Sequence, residues 1–263
     1  MKAATSSLHT WLSSQNGILM PDKEVHFFDR DVSYYQGILE YKRLLDCSNG
    51  EKGLVGEDTP AYSIDSRVAG RIARMCPKVK LIWILRDPIS RSYSNYYHAV
   101  RAGLESRTFL KAVSDEVNGA TSKNCLRYIY RSNYLLQIEK YFECFSRDAL
   151  LFVDFNKLIA NDKSTLNSVL THIGLNDTQN VEWNLPHSHK TEVFPPSVLN
   201  FYLKPIPRKI RVKILREASL LLSLTTPPKI SKDVVILLKS IFYKDIKDIE
   251  DITGLNFECW REW

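Results

Sequence analysis

Lys80-Leu81-Ile82-Trp83-Ile84-Leu85 runs straight into Arg86-Asp87-Pro88-Ile89-Ser90-Arg91-Ser92-Tyr93-Ser94, and the fold class follows from this stretch. Its first half is a short run of large apolar residues, the pattern of a strand buried on both faces. Asp87 followed by Pro88 supplies an N-cap and a first helical residue. A strand therefore hands over to a helix with only Arg86 ahead of the cap. At such junctions in α/β sheets, ligands lie beyond the carboxyl end of the strand, against the amides that open the helix. Arg86 can clamp a phosphate through two parallel hydrogen bonds. Ser94 lies about two helical turns further on and reaches the same anion if the ligand lies along the helix. The plainer alternative is a capped helix whose arginine pairs with Asp87.

The first residues, Met1-Lys2-Ala3-Ala4-Thr5-Ser6-Ser7-Leu8-His9-Thr10-Trp11-Leu12, read as a loop of small residues entering a helix whose apolar face carries Leu8, Trp11 and Leu12. Ala3 and Ala4 let main-chain amides approach an anion, Thr5, Ser6 and Ser7 add hydroxyls, and Lys2 adds a charge, so the set suits a phosphate cradle. A nucleoside-triphosphate loop needs glycines ahead of its lysine, and only Met1 precedes Lys2. That argues against a kinase of that class. An ordinary Ser/Thr-capped amphipathic helix is the competing reading. In Lys23-Glu24-Val25-His26-Phe27-Phe28-Asp29, alternation predicts an extended segment with Glu24, His26 and Phe28 on one side and Val25 and Phe27 on the other. A carboxylate and an imidazole then point together, either as a catalytic pair or as part of a solvent face.

Taken in order, these segments resemble the sulfotransferases that use 3′-phosphoadenosine 5′-phosphosulfate (PAPS), within the branch that contains the heparan sulfate and carbohydrate sulfotransferases. Lys2 to Leu8 is similar to that family's 5′-phosphosulfate loop, Lys23 to Asp29 to its K-E-x-x-F-F segment, and Glu57-Asp58-Thr59-Pro60-Ala61-Tyr62 to its E-K-T-P-A-Y segment. Leu85 to Pro88 with Ser94, Tyr96 and His98 resembles the 3′-phosphate-binding strand and helix, residues 80–98. Arg131 to Tyr134, the strand Ala149 to Val153 and the closing Asp248 to Trp260 also match in order, so the likeness spans nearly the whole chain, 1–263.

The resemblance implies a single α/β domain with a central parallel sheet flanked by helices. It implies PAPS as co-substrate and no metal. Glu24 becomes the general base, Lys2 the cation beside the bridging oxygen, and His26 an orienting group. Nucleotide contacts fall to Lys2, Ala3, Ala4, Thr5, Ser6, Ser7, Arg86, Ser94, Tyr134, His189 and Lys190. The acceptor is expected to be a small molecule or carbohydrate, with no nucleic-acid partner. Two departures stand out. Asp58 occupies the place of the family's lysine, which argues against a strongly anionic acceptor. The loop also begins at residue 1, where the family has an apolar first strand ahead of it, so that strand is expected to be missing. A catalytically impaired PAP- or PAPS-binding module of the same fold is the first alternative, and a P-loop-type kinase the second.

Composition fits an enzyme domain. The 263 residues are 44% hydrophobic with a formal charge of +6, enough for a sizeable core and too little charge for a disordered or nucleic-acid-coating chain. The stretch Lys204 to Arg216 is locally basic and reads as a solvated helix face. No apolar run reaches the roughly 20 residues of a membrane span. The five cysteines include no C-x-x-C pair, so neither a zinc site nor a disulfide framework is indicated and a reducing, cytoplasmic setting is expected. A truncated lumenal domain is the alternative. Residues 176–196, rich in proline and containing His187, His189 and Lys190, read as a long loop. In the resembled family such a loop covers nucleotide and acceptor, which makes residues 184–192 the expected cover in this chain. Tyr34, Tyr35, Tyr62 and Tyr128 are either stacking residues for an acceptor or core.

Overall fold

The computed structural model describes residues 3–45, 53–102, 104–120, 126–176, 181–186 and 228–263, with 203, 206–207, 210, 213–214 and 217 between them. Its contacts divide the chain into two compact units, one holding Ala3–Arg86 and Tyr134–Ser188, the other Asp87–Asn133 and His189–Trp263.

The first unit is α/β, as the strand-to-helix junction predicts. Among its described residues the strands are β1 (Ile18–Leu19), β2 (Leu54–Val55), β3 (Leu81–Leu85) and β4 (Leu150–Asp154). They pair in parallel as β1 with β2 and β3 with β4, the second pair in register from Leu81↔Leu150 to Leu85↔Asp154. The expectation that β3 is buried on both faces holds fully only at Leu85, and Leu81 to Ile84 are half-buried. Pleating sends Ile82 and Ile84 into one cluster, while Trp83 points the other way, edge-on to Tyr141 at 5.0 Å. The apolar face foreseen near the start is present. Leu8, Trp11 and Leu12 of the helix Thr5–Ser13 meet Leu166, Val169 and Leu170 of the helix Lys163–Ile173, with Ile18, Val153 and Leu185 alongside. Trp11 Nε1 donates to the Glu182 carbonyl at 2.6 Å, tying the segment 181–186 to this core. Gly174 closes the second helix with a φ of 87°, a turn that suits glycine.

The short β1–β2 pair directs the two chain segments that leave it. Leu54 N donates to Gly17 O at 2.8 Å, and a Cβ at Gly53 would sit 2.6 Å from that same oxygen, so only glycine allows the approach. Parallel pairing sends both chains out of the same edge, which brings Lys23–Asp29 alongside Glu57–Tyr62.

In the second unit, Asp87 caps the helix Pro88–Arg101 by accepting from Ser90 N at 2.6 Å, and Pro88 takes the first position. That helix and the helices Phe109–Val117 and Lys232–Phe242 bury Ile89, Tyr96, Val113, Leu238 and Phe242 together. No helix of the described residues is long and apolar enough to cross a membrane. Burial alone would raise the carboxyl of Glu105, but hydrogen bonds from the Arg107 guanidinium and amide, with one from Tyr128, hold it below the ordinary value. A depressed carboxylate stabilises the fold fully above its unfolded pKa, and that contribution disappears as pH falls through the folded one. Glu105→Gln is therefore expected to flatten the acid limb of a stability–pH curve below about pH 4, measured by urea unfolding. In the first unit, Leu170→Ala should cost about 2–5 kcal/mol by the same measurement.

Candidate functional site

The middle of the Glu24 region, Val25–Phe28, is placed by hydrogen bonds to another part of the chain. Lys23–Asp29 is not the extended segment that its alternation predicts. His26 takes a φ of 51°, and Phe27 and Phe28 are both buried, at 0% and 1% exposure. A left-handed residue breaks the two-residue period, so both phenylalanines enter a cluster with Tyr34, Tyr41 and Tyr62. The main chain of this segment finds its partners in side chains. Thr59 Oγ1 accepts from Val25 N at 3.2 Å and His26 N at 3.3 Å, and Tyr62 OH accepts from Phe27 N at 2.9 Å and Phe28 N at 3.4 Å. Both hydroxyls donate to Glu57, Thr59 to Oε2 at 2.6 Å and Tyr62 to Oε1 at 2.9 Å, and Tyr41 donates to Oε1 at 3.2 Å. Loss of solvent raises the Glu57 carboxyl above its ordinary value, and these three bonds oppose the rise without cancelling it.

That turn lines up three titratable groups. Glu24 Oε2 lies 3.1 Å from His26 Nε2, and Asp29 Oδ2 lies 2.7 Å from His26 Nδ1. An imidazole between two carboxylates is suited to share a proton with one while the other offsets its positive charge. Glu24 and His26 are candidates from the sequence, and Asp29 is an addition from the structure. Its only signal was the three-residue spacing to His26, which is diagnostic once the turn is known.

The helix Thr5–Ser13 opens at Ala4, whose φ of 58° and ψ of 23° are left-handed, and no side chain caps it. The amides of Thr5, Ser6 and Ser7 precede the first intrahelical bond, from Leu8 N to Ala4 O, and no acidic residue stands in the first turn. Ala3 and Ser7 are buried. Helix-opening amides, hydroxyls and small side chains together suit an anion such as a phosphosulfate. One turn along, His9 Nδ1 pairs with Asp58 Oδ1 at 2.6 Å. Asp58 is therefore engaged by the helix rather than standing free. Its carboxyl is raised by burial, lowered by His9 and raised again by the charge of Glu24.

Arg86 follows β3 directly. Tyr134, itself buried, fixes its main chain on both sides, accepting from Arg86 N at 3.2 Å and donating to Arg86 O at 3.0 Å. The Arg86 guanidinium lies over the Phe155 ring at 4.6 Å. Asp87 serves as the helix cap. Ser94 is buried in the second unit, where Ser92 Oγ and Arg91 both meet Ser132 Oγ. Lys2, His189 and Lys190 lie outside the described residues, as do His187, most of Lys204–Arg216 and most of the loop 184–192. Among the four tyrosines considered for an acceptor, Tyr34, Tyr62 and Tyr128 belong to aromatic cores, and Tyr35 is 78% exposed.

The sequence matches a family model described as "Sulfotransferase family" over residues 5–179. Heparan sulfate glucosamine 3-O-sulfotransferase 5 of Mus musculus is 27% identical over 177 residues, 66% of this chain and 51% of that protein. Heparan sulfate glucosamine 3-O-sulfotransferase 3B1 of Mus musculus is 28% identical over 180 residues, 66% of this chain and 44% of that protein. The chain thus spans about half the length of these curated relatives, or less. The crystal structure of a sulfotransferase from Alicyclobacillus acidocaldarius superposes with a TM-score of 0.68 over 99% of this chain and 95% of that one, at 21% identity, so the two share a fold.

The left-handed start of the helix gives a direct test. Ala4→Val, with a branched side chain at a positive φ, should lower stability by about 1–2 kcal/mol in denaturant unfolding, whereas Ala4→Gly should not.

Proposed function

Because the chain belongs to the sulfotransferase family, we propose that it transfers a sulfuryl group from PAPS to a hydroxyl or amine of a carbohydrate acceptor, with Glu24 as general base. The observation that carries this reading is the Glu24–His26–Asp29 array, held in the same unit as a helix start built for an anion. The amides and hydroxyls of Thr5, Ser6 and Ser7 hold the phosphosulfate, Ala3 and Ala4 leave room for it, and Arg86 takes the 3′-phosphate. Lys2 stabilises the charge that builds on the bridging oxygen, and His189 and Lys190 add nucleotide contacts. Tyr134 acts through the Arg86 main chain.

Glu24 takes the proton of the acceptor as the acceptor oxygen or nitrogen bonds to sulfur. The bond from sulfur to the phosphate oxygen breaks, and PAP departs with its electron pair. The proton is then shared between Glu24 and His26, with Asp29 offsetting the imidazolium charge. The reaction class requires no metal. The names of the relatives favour a glucosamine-containing acceptor. Asp58, paired with His9 where the family motif carries a lysine, favours one that is less anionic than heparan sulfate.

Isothermal titration with PAP, with and without magnesium, tests the reading. Magnesium-independent binding in the micromolar range is expected, weakened about tenfold or more in Arg86→Ala. Glu24→Gln should bind PAP within about twofold of the parent and lose about 100-fold or more in turnover with PAPS and an aminosugar acceptor. Strict magnesium dependence would point to a phosphoryl-transfer enzyme, and binding without turnover to the impaired module. Full activity in Glu24→Gln would remove Glu24 from its role.

A further inference from the structure

We propose that Glu57 is the positioning residue of the site: its carboxylate orients Thr59 Oγ1 and Tyr62 OH so that these two hydroxyls accept the four consecutive amides of Val25–Phe28 and hold Glu24 beside His26. The inference rests on the reading of Glu24 as the base and adds a residue that touches neither substrate nor Glu24.

Hydrogen-bond accounting carries it. A hydroxyl has one proton and two lone pairs. Thr59 Oγ1 uses both lone pairs on the Val25 and His26 amides and its proton on Glu57 Oε2. Tyr62 OH does the same with the Phe27 and Phe28 amides and Glu57 Oε1. Both hydroxyls are saturated, so the group they face must only accept. Tyr41 brings a third donor to the same carboxylate. An ionised carboxylate meets all three, whereas a carboxamide sets a donor of its own against at least one. The hydroxyl so opposed has to turn its proton elsewhere and surrender a lone pair that an amide needs. Thr59 and Tyr62 are buried, at 6% and 9% exposure, so water is a poor substitute. The segment these amides hold includes His26 at its positive φ, a conformation that persists only where surrounding bonds impose it.

Glu57→Gln and Thr59→Val, with Thr59→Ser as the conservative control, test the proposal by hydrogen exchange and kinetics on the full chain. Glu57→Gln and Thr59→Val are each expected to lose exchange protection at Val25–Phe28 while the helices Thr5–Ser13 and Lys163–Ile173 keep theirs. Both should lower kcat by about 10- to 100-fold with KM for PAPS and affinity for PAP within about twofold, because a misplaced base slows chemistry without touching the nucleotide. Thr59→Ser should restore both readouts, and the double variant Glu57→Gln/Thr59→Val should be no worse than the poorer single one. Unchanged protection at Val25–Phe28 in a folded Glu57→Gln, or a kcat within about twofold of the parent, overturns the proposal. So does a general loss of protection in Glu57→Gln and Thr59→Val together, which would make the network a part of the core. If the parent chain neither binds PAP nor turns over, the functional reading falls, and the exchange pattern alone decides whether Glu57 sets the turn.

Discussion

Parallel pairing forces two strands to end on the same side, and the in-register ladder of β3 and β4 imposes that condition on the first unit. Because Leu85 stands opposite Asp154, the next residues in each chain, Arg86 and Phe155, emerge together, and the guanidinium of one lies over the ring of the other. Asp154 then caps the helix Phe155–Ile159 through Asn156 N, so the strand cannot run on. Tyr134 closes the arrangement by holding both main-chain groups of Arg86. The position of the cation is thus set by a ladder, a cap and a hydroxyl, none of which involves its own charge.

The same logic governs the Glu24 region through a shorter ladder. The β1–β2 pair spans two residues in each strand, yet its parallel sense delivers Lys23–Asp29 and Glu57–Tyr62 to one edge. There the main chain leaves the ladder, and side-chain hydroxyls replace the missing strand. A β-ladder would have alternated the side chains across two faces. Hydroxyl acceptors impose no such alternation, and that freedom lets Phe27 and Phe28 both turn inward while Glu24 and His26 meet.

What could be read from the sequence divides along the range of the interactions. The β3-to-helix junction was legible because the apolar run, Asp87 and Pro88 are neighbours, and the Leu8–Trp11–Leu12 face because helical spacing is local. The α/β character followed from that junction, and the parallel sheet from the family resemblance. The left-handed turn at His26 was not legible, since its cause lies more than 30 residues away in Thr59. Alternation was a sound reading of Lys23–Asp29 as an isolated peptide and was overridden by tertiary hydrogen bonds. Asp29 was hidden for the same reason. Asp58 was noticed as an odd charge, but its engagement with His9 depends on a helix and a loop 49 residues apart. Tyr34, Tyr62 and Tyr128 could not be told from acceptor-binding rings, because an aromatic side chain looks the same in a core and in a cleft.

Saturation of hydroxyls at Thr59 and Tyr62 also has a meaning for how such a sequence can drift. The proton and both lone pairs of each hydroxyl have an assigned partner, so a change at position 57, 59 or 62 leaves an unmatched group at one of the others. Glu57, Thr59 and Tyr62 are thus bound by a common count of hydrogens, close together in the chain.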